Sequence, residues 1–441
     1  MFTERPPRTR TPRFPALLAA GALVAATALS GCTSSTGSTG TTGTTGATGA
    51  GASPGGDASL YEPTPFNLTD EQKADILKKA FLTDAITADR LDPTIVQGLY
   101  EAGRDYTDQQ VTTAAGCMSQ PTCKIGEGPL TLAILDGAGS DLWRRITRAQ
   151  ITLQATSYPN IGTVIYLQAD GNQQTMQANL KTLIARKVTG IVTYDDFGPA
   201  MTAAFQQATN AGIPVVAYGG VPGPDAAGAV VSQVASDFCD DGNQMAQTTA
   251  KMLNNTGNVA FFTGTPGNPQ GAGWQKCAEE WFKKNAPGIK VANRSNTNWT
   301  EGGAVSATSA LISTGQKIDA VLYDYAKQTV NIVQTYKKAK LKVPAQVTWT
   351  SDNSLLEIWE KDLGTPNEWQ LAYSSSINFE GGIALAALMS HLAGKKVSPT
   401  LTFPLPFVPA KKGDYLPDQP ANAPGPTLMP DSLLTTLLAA G

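Results

Sequence analysis

Residues 130–135 read LTLAIL, residues 164–167 VIYL, residues 190–193 GIVT and residues 213–217 IPVVA. Each run is apolar, rich in β-branched side chains and too short for a helix of its own, so each is predicted to be a buried strand. The segments between them carry helical spacing instead: Leu180, Leu183 and Ile184 precede the third run, and Met201, Ala204, Phe205 and Ala208 precede the fourth. Strands alternating with helices of this length are βαβ units, whose right-handed crossovers force a parallel sheet with helices on both faces. Ligands of such sheets lie at the carboxyl ends of the strands. Function is therefore expected at residues 136–143, 170, 194–197 and 218–221.

A further run at 229–235 leads through Ser236-Asp237 into a long helix over 238–253, and then the pattern restarts. Strands are predicted at 259–263, 289–293, 320–323, 346–350 and 370–374. Helices are predicted at 271–284, 304–313 and 329–339, with an apolar, small-residue helix at 381–392. Two successive βα series in one chain define an α/β fold of two doubly wound parallel-sheet lobes. A last extended run covers 401–408. The proline-rich tail from Pro409 shows no clear periodicity and reads as a surface wrap. Upstream of the lobes, Thr69 with Gln72 is a capping box that starts a helix running to about Ala85. Asp92-Pro93 starts another and Thr107 with Gln110 a third. This N-terminal helical extension, residues 59–128, is read as a packing appendage on the first lobe, with a docking surface for a partner as the alternative.

The 441 residues are 41% hydrophobic, enough for two cores of ordinary size. Charged residues make up only 16% with a net of -3 and form no basic block beyond the N-terminus, which argues against a nucleic-acid partner. Arg5, Arg8, Arg10 and Arg13 precede an apolar segment, 14–29, too short to span a bilayer, and the segment ends in Leu29-Ser30-Gly31-Cys32. Residues 1–31 are thus expected to be a lipoprotein signal peptide, because a cysteine directly after Leu-Ser-Gly resembles a bacterial lipobox in which that residue, Cys32, is lipidated. The stretch 32–58 is almost wholly Thr, Gly, Ser and Ala after Cys32, a composition suited to a tether.

Four further cysteines remain: Cys117, Cys123, Cys239 and Cys277. An even number outside the cytoplasm points to disulfides, and four cysteines allow three pairings. Proximity favours Cys117–Cys123, a small loop around Pro121, with Cys239–Cys277 to follow. The single histidine, His391, lies far from any cysteine and no Cys-x-x-Cys pair occurs, so neither a metal nor any cofactor is expected.

The stretches 130–143, Gly190-Ile191-Val192, 211–216, Val234-Ala235-Ser236-Asp237, 264–274 and Thr350-Ser351-Asp352 resemble, in order and spacing, the bacterial type I periplasmic binding proteins. The resemblance is to their ribose and simple-sugar subgroup, the substrate-binding proteins of ABC importers, and covers about residues 129–408. It implies two lobes joined by a three-crossing hinge, with crossings near Ser236/Asp237, Ser376/Ile377 and 401–407. One lobe is then 129–236 plus 377–402 and the other 237–376, leaving 403–441 as the last crossing and tail.

The resemblance also implies ligand contacts. Asp136, Ser140 and Trp143 match positions in the first turn, Trp299 matches an aromatic contact, Tyr325 falls near an amide contact, Asp352 matches a hinge-side acid and Ser375 stands where a Gln is frequent. The Asp-Arg pair common after the fourth strand is replaced by Gly219 and Gly220. The Arg usual after the sixth is absent from the Gly271–Trp274 neighbourhood. In place of such bidentate groups the cleft offers aromatic faces, with Tyr218 and Trp274 added to the candidates, suited to the C–H side of a sugar, a planar ring or a cation. Each candidate has a plainer reading: Trp143 and Trp274 as core plugs, Asp352 as the cap of the following helix, Asp237 as a cap at the hinge.

The function implied is an extracytoplasmic, membrane-anchored lipoprotein of an ABC importer. It is a monomer that captures a small sugar-like solute by hinge closure and presents it to a permease. The alternative is a receptor of the same fold that senses a non-sugar aromatic or cationic solute for a membrane signalling partner. A LacI-type repressor is set aside, since a lipobox and tether stand where its helix-turn-helix belongs. An enzyme is not expected: the glycine-rich 264–271 lacks the Lys-Ser/Thr of a Walker loop, and the sequence has no nucleophile elbow and no histidine-based triad.

Overall fold

Reciprocal side-chain hydrogen bonds fix the first helices. In the computed structural model, which describes residues 57–139 and 141–439, Thr69 Oγ1 accepts from Gln72 N–H while Gln72 Oε1 accepts from Thr69 N–H, opening α1 (Asp70–Phe81). Residues 1–56, with the expected signal peptide, Cys32 and nearly all of the tether, lie outside the described residues, as does Ser140. The first helix stops short of Ala85 because Leu82 turns left-handed, at φ 57°, and closes on the Lys78 carbonyl. Asp92 caps α2 (Pro93–Ala102) and a second capping box, Thr107 with Gln110, opens α3 (Asp108–Cys117).

The first sheet comprises β1 (Thr122–Lys124), β2 (Leu130–Asp136), β3 (Ile161–Gln168), β4 (Gly190–Tyr194), β5 (Val215–Tyr218) and β6 (Ser232–Ser236), with α4 (Leu142–Ala155), α5 (Gln173–Ala185) and α6 (Thr202–Asn210) as crossovers. The second series runs α7 (Phe238–Met252), β7 (Thr256–Thr263), α8 (Pro269–Asn285), β8 (Gly288–Asn296), α9 (Glu301–Ser313), β9 (Ala320–Tyr323), α10 (Ala326–Lys338), β10 (Ala345–Thr348), α11 (Asn353–Asp362) and β11 (Leu371–Tyr373). The chain then returns as α12 (Phe379–Leu392) and β12 (Thr400–Phe403), and ends in β13 (Val408–Pro409) and α13 (Asp431–Ala439). Strand order is β1-β3-β2-β4-β5-β6-β12 in one sheet and β13-β11-β10-β9-β7-β8 in the other. All pairings are parallel except those of the two edge strands β1 and β13. The order reverses beside β2 and beside β7, and such switch points open a crevice at the carboxyl ends of the strands.

β12 pairs with β6 in the first sheet and β13 with β11 in the second, so the expected run at 401–408 is two strands that belong to different lobes. The tail differs from a structureless wrap. Asn353 at the start of α11 holds it by donating Nδ2 to the carbonyls of Leu416 (2.9 Å) and Gln419 (3.1 Å), and Gly425 N–H reaches the Ser351 carbonyl at 3.0 Å. It then crosses back, and Leu433, Leu434, Leu437 and Leu438 of α13 bury against Ala114, Ile146 and Leu153. These leucines form a helical stripe of their own, masked in sequence by the proline-rich run before it. The tail is therefore a fourth passage between the lobes.

The extension packs on the first lobe: Ile76, Phe81, Ile95 and Leu99 share one core with Ile151, Ile383 and Leu388. Buried Glu101 sits within it, accepting from Tyr158 Oη (2.6 Å), Gln154 Nε2 (2.8 Å) and Gln97 Nε2 (2.8 Å). Disulfides join Cys117 to Cys123, tying α3 to β1, and Cys239 to Cys277, tying α7 to α8. Helices α2 and α12 approach so closely that a Cβ at Gly98 would lie 2.5 Å from Ile383 Cα, whereas one at Gly116 meets nothing within 4 Å. Gly98→Ala is expected to lower stability by about 1–3 kcal/mol through overpacking, and Gly116→Ala to raise it by about 0.5 kcal/mol. Urea unfolding of both variants checks the contrast; equal effects would mean that the extension does not dock as described.

Candidate ligand-binding cleft

The carboxyl ends of the two sheets face each other across a cavity of about 50 Å³, room for roughly four water molecules. Trp143, Arg144 and Tyr194 line it from the first lobe and Trp299, Asp324 and Tyr325 from the second. Direct contacts bridge the rims: Tyr194 Oη donates to Gln270 Oε1 at 3.3 Å, and Asn268 Nδ2 reaches Asp196 Oδ1 at 3.5 Å.

Arg144 organises the first wall. It stands in the first turn of α4, capped by Asp141, and its side chain is buried. Its Nη1 donates to Asp136 Oδ1 at 2.6 Å, its Nη2 to Asp196 Oδ1 at 2.9 Å, and its Nε lies 3.3 Å from Asp141 Oδ2. The guanidinium also stacks 4.0 Å from the Tyr194 ring centre. Burial pushes Asp136 up to about 7 against the opposing pull of Arg144. Asp195 is pushed up to about 7, again chiefly by burial.

Asp324 does the same for the second wall. Its carboxylate accepts from Thr263 Oγ1, from Trp274 Nε1 at 2.9 Å and from Trp299 Nε1 at 2.8 Å, so one acid orients two indoles. Burial outweighs those three donors and holds the group at about 6. Trp299, Thr350 and Ile377, all lining the cavity, have positive φ of 53°, 62° and 51°, each costing roughly 1–3 kcal/mol in a residue with a Cβ. The surrounding packing must hold this strain.

Of the residues expected to touch a ligand, Trp143, Trp299 and Tyr325 come together around the cavity. Asp136, Tyr218 and Trp274 lie one layer behind it: Asp136 on Arg144, Tyr218 edge-on to Tyr194 at 5.6 Å, and Trp274 fully buried on Asp324. Asp352 caps α11 by accepting from Ser354 N–H and lines a side cavity of about 20 Å³ beside Tyr325. Ser375 is buried at the crossing after β11, away from the main cavity. Asp237 caps α7.

Arg144, Gln270, Asp324, Trp349 and Glu380 also line the cavity and were not among the expected contacts. The first two stand in the opening turns of α4 and α8, and that position was the available signal. Gly219 and Gly220 explain the missing Asp-Arg pair. A Cβ at Gly219 would fall 2.3 Å from the Tyr194 ring and 2.5 Å from Glu380 Oε1, and one at Gly220 would fall 2.3 Å from the Asp195 carbonyl. Tyr194 and Glu380 fill the space those side chains would need. Among the described residues no group of acidic, His or Cys side chains is placed to hold a metal ion, and no helix is long and apolar enough to cross a membrane.

Two facing α/β lobes with a cleft at their carboxyl ends define a two-lobed substrate-binding protein. Residues 133–396 match the periplasmic binding protein domain, and the chain belongs to that family, whose members are extracytoplasmic binding proteins rather than enzymes. No curated protein matches. Solved structures share the fold at low identity. The arabinose-transporter binding protein of Shewanella sp. ANA-3, bound to L-arabinofuranose, is 18% identical over 63% of this chain and 91% of its own, with a TM-score of 0.57. A Bacillus halodurans solute-binding protein with bound myo-inositol is 16% identical over 64% and 95%, at 0.57. The fructose-binding periplasmic domain of a hybrid two-component system is 17% identical over 64% and 90%, at 0.56.

The raised position of Asp324 sets a pH dependence. The folded state holds its proton at about 6, above the ordinary value of about 3.9. Its stabilising proton uptake is complete below the lower value and lost as pH rises through the upper one. Asp324→Asn is expected to remove that component, so the unfolding free energy of the wild type should gain on the variant's as pH falls from 6.5 to 4.5. Urea titrations across this range check it; parallel curves would mean that Asp324 is not held protonated more tightly in the fold.

Proposed function

We propose that this chain is the capture component of an ABC importer, an extracytoplasmic monomer anchored by lipid on Cys32 that closes its two lobes on a small sugar-like solute. The observation that carries the reading is the aromatic-walled cavity between the facing strand ends, with Trp143 and Trp299 on opposite lobes. Indole faces suit the C–H side of a sugar, and solved proteins of this fold hold arabinofuranose and inositol. Lobe closure would be driven by ligand contacts that exist only when both walls are in place, and the docking partner would be the permease. Sensing is the second reading, favoured by the fold shared with the periplasmic domain of a two-component system.

A thermal-shift screen of sugars, polyols and glycosides tests the capture role, since a ligand of the native state raises Tm by mass action. Trp299→Ala is expected to weaken the best hit at least about tenfold, or 1.4 kcal/mol, while the unliganded protein still unfolds cooperatively. Unchanged affinity would remove Trp299 from the site. Cys32→Ser is expected to release the protein from the membrane fraction of cells that express it; retention would overturn the lipid anchor.

A further inference from the structure

Among the described residues that line the cavity, Glu380 is the one acid whose side chain has no hydrogen-bond partner. It lies in the first turn of α12, just past the strained Ile377 of the interlobe crossing, is only 2% exposed, and lines the cavity. Its Oε1 has no hydrogen-bond partner among the described residues. The other acids of the walls are answered: Asp141 by Arg144, Asp324 by Thr263, Trp274 and Trp299.

Most of the nitrogen donors of the cavity wall are meanwhile engaged within the protein. Trp143 Nε1 donates to the Ser376 carbonyl at 2.7 Å, Trp299 Nε1 to Asp324, and Trp349 Nε1 to Met245 Sδ at 3.1 Å. All three nitrogens of the Arg144 guanidinium face carboxylates, and Tyr194 Oη donates to Gln270. Among the described lining residues the Gln270 amide and the hydroxyls of Tyr325 and Thr350 are the main donors left over. A polyol brings donors and acceptors in equal number and would find few groups to satisfy its acceptors. An ammonium group brings up to three donors and no acceptor, and its charge is complemented by the aromatic faces around the cavity.

We propose that the captured solute carries a protonated primary or secondary amine, held by the Glu380 carboxylate against the rings of the aromatic wall. This rests on the capture role above and specifies the class of solute. The lining agrees with it: the carboxyl groups of Asp141, Asp324 and Glu380 stand there with Arg144 as the single basic side chain. The charged and titratable groups that act on or are acted on by Glu380 are Arg144 on α4, Asp241 on α7, Tyr194 at the end of β4 and Tyr218 at the end of β5. Burial, the largest influence, and Asp241 raise the Glu380 carboxyl well above its ordinary range, and Arg144 opposes them. Where the unliganded acid holds its proton, binding R–NH₃⁺ leaves the ammonium–carboxylate pair and releases that proton to solvent.

The test is isothermal calorimetry on the full chain at pH 7.5 in two buffers of different ionisation enthalpy. Its probes are matched pairs: glucosamine against glucose and N-acetylglucosamine, galactosamine against galactose, and ethanolamine against ethylene glycol. At least one amine is expected to bind about tenfold or more tighter than its neutral partners, with a buffer-dependent heat in the direction of proton release. Glu380→Gln, isosteric with the neutral acid, is expected to keep the unliganded Tm or raise it, to weaken the amine about tenfold or more, and to abolish proton release. Neutral sugars binding as tightly as their amines, or a preference that survives Glu380→Gln, would overturn the proposal while leaving the capture role intact. Binding of no probe from either class would overturn both.

Discussion

A single guanidinium holds the first wall of the cleft together. Arg144 joins the end of β2 through Asp136, the cap of α4 through Asp141 and the loop after β4 through Asp196, and it lies flat on Tyr194. Buried ions of this kind are costly to desolvate, and removing one partner leaves the rest uncompensated, at roughly 3–5 kcal/mol. The cluster earns its place by specificity, because three separate loops are given one geometry. Asp196 in turn meets Asn268 of the other lobe, so the same charge cluster that shapes one wall also registers it against the second. Tyr194 packs against the guanidinium and meets Trp143 edge to face at 5.7 Å.

The second wall is built on the opposite sign. One carboxylate, Asp324, receives two indoles, and the Trp299 ring lies on the bare backbone of Gly264, where a Cβ would come within 2.0 Å of it. Backbone strain is concentrated on this side and at the crossing, at Trp299, Thr350 and Ile377. A β-branched residue in the left-handed region at a lobe crossing stores energy that a change in crossing geometry releases. The strained positions therefore line the cavity at its second wall and at the crossing between the lobes.

Much of this fold was legible in the sequence because its signals are local. The β-branched runs, the helical periods between them and the Thr69–Gln72 pair each involve residues a few positions apart. β1 was missed because a strand of three residues at a sheet edge buries only Cys123, and α13 because its leucine stripe follows a proline-rich run. The site was less legible, for a geometric reason: the cavity accepts side chains only from strand ends, first turns and crossings. Trp143, second in α4, reaches it, whereas Trp274, more than a turn into α8, points back to the core. Asp324 and Glu380 owe their positions to strands and crossings far apart in sequence, so no spacing announces them. The absence of the Asp-Arg pair is visible in the sequence, but its cause, the space taken by Tyr194 and Glu380, exists only in three dimensions.

The passage of the chain between lobes also governs the order in which it can fold. The second sheet is built almost wholly from one continuous stretch, β7 to β11, but the first lacks its last strand until Thr400–Phe403 is available to pair with Gln233–Ser236. Helix α13, at the end of the described residues, then closes on α3 and α4. Pairings across such separations carry a large loop-closure entropy and form late. A first lobe that waits for Thr400–Phe403 and for α13 cannot complete its sheet, or cover the face formed by α3 and α4, until those distant residues have been made.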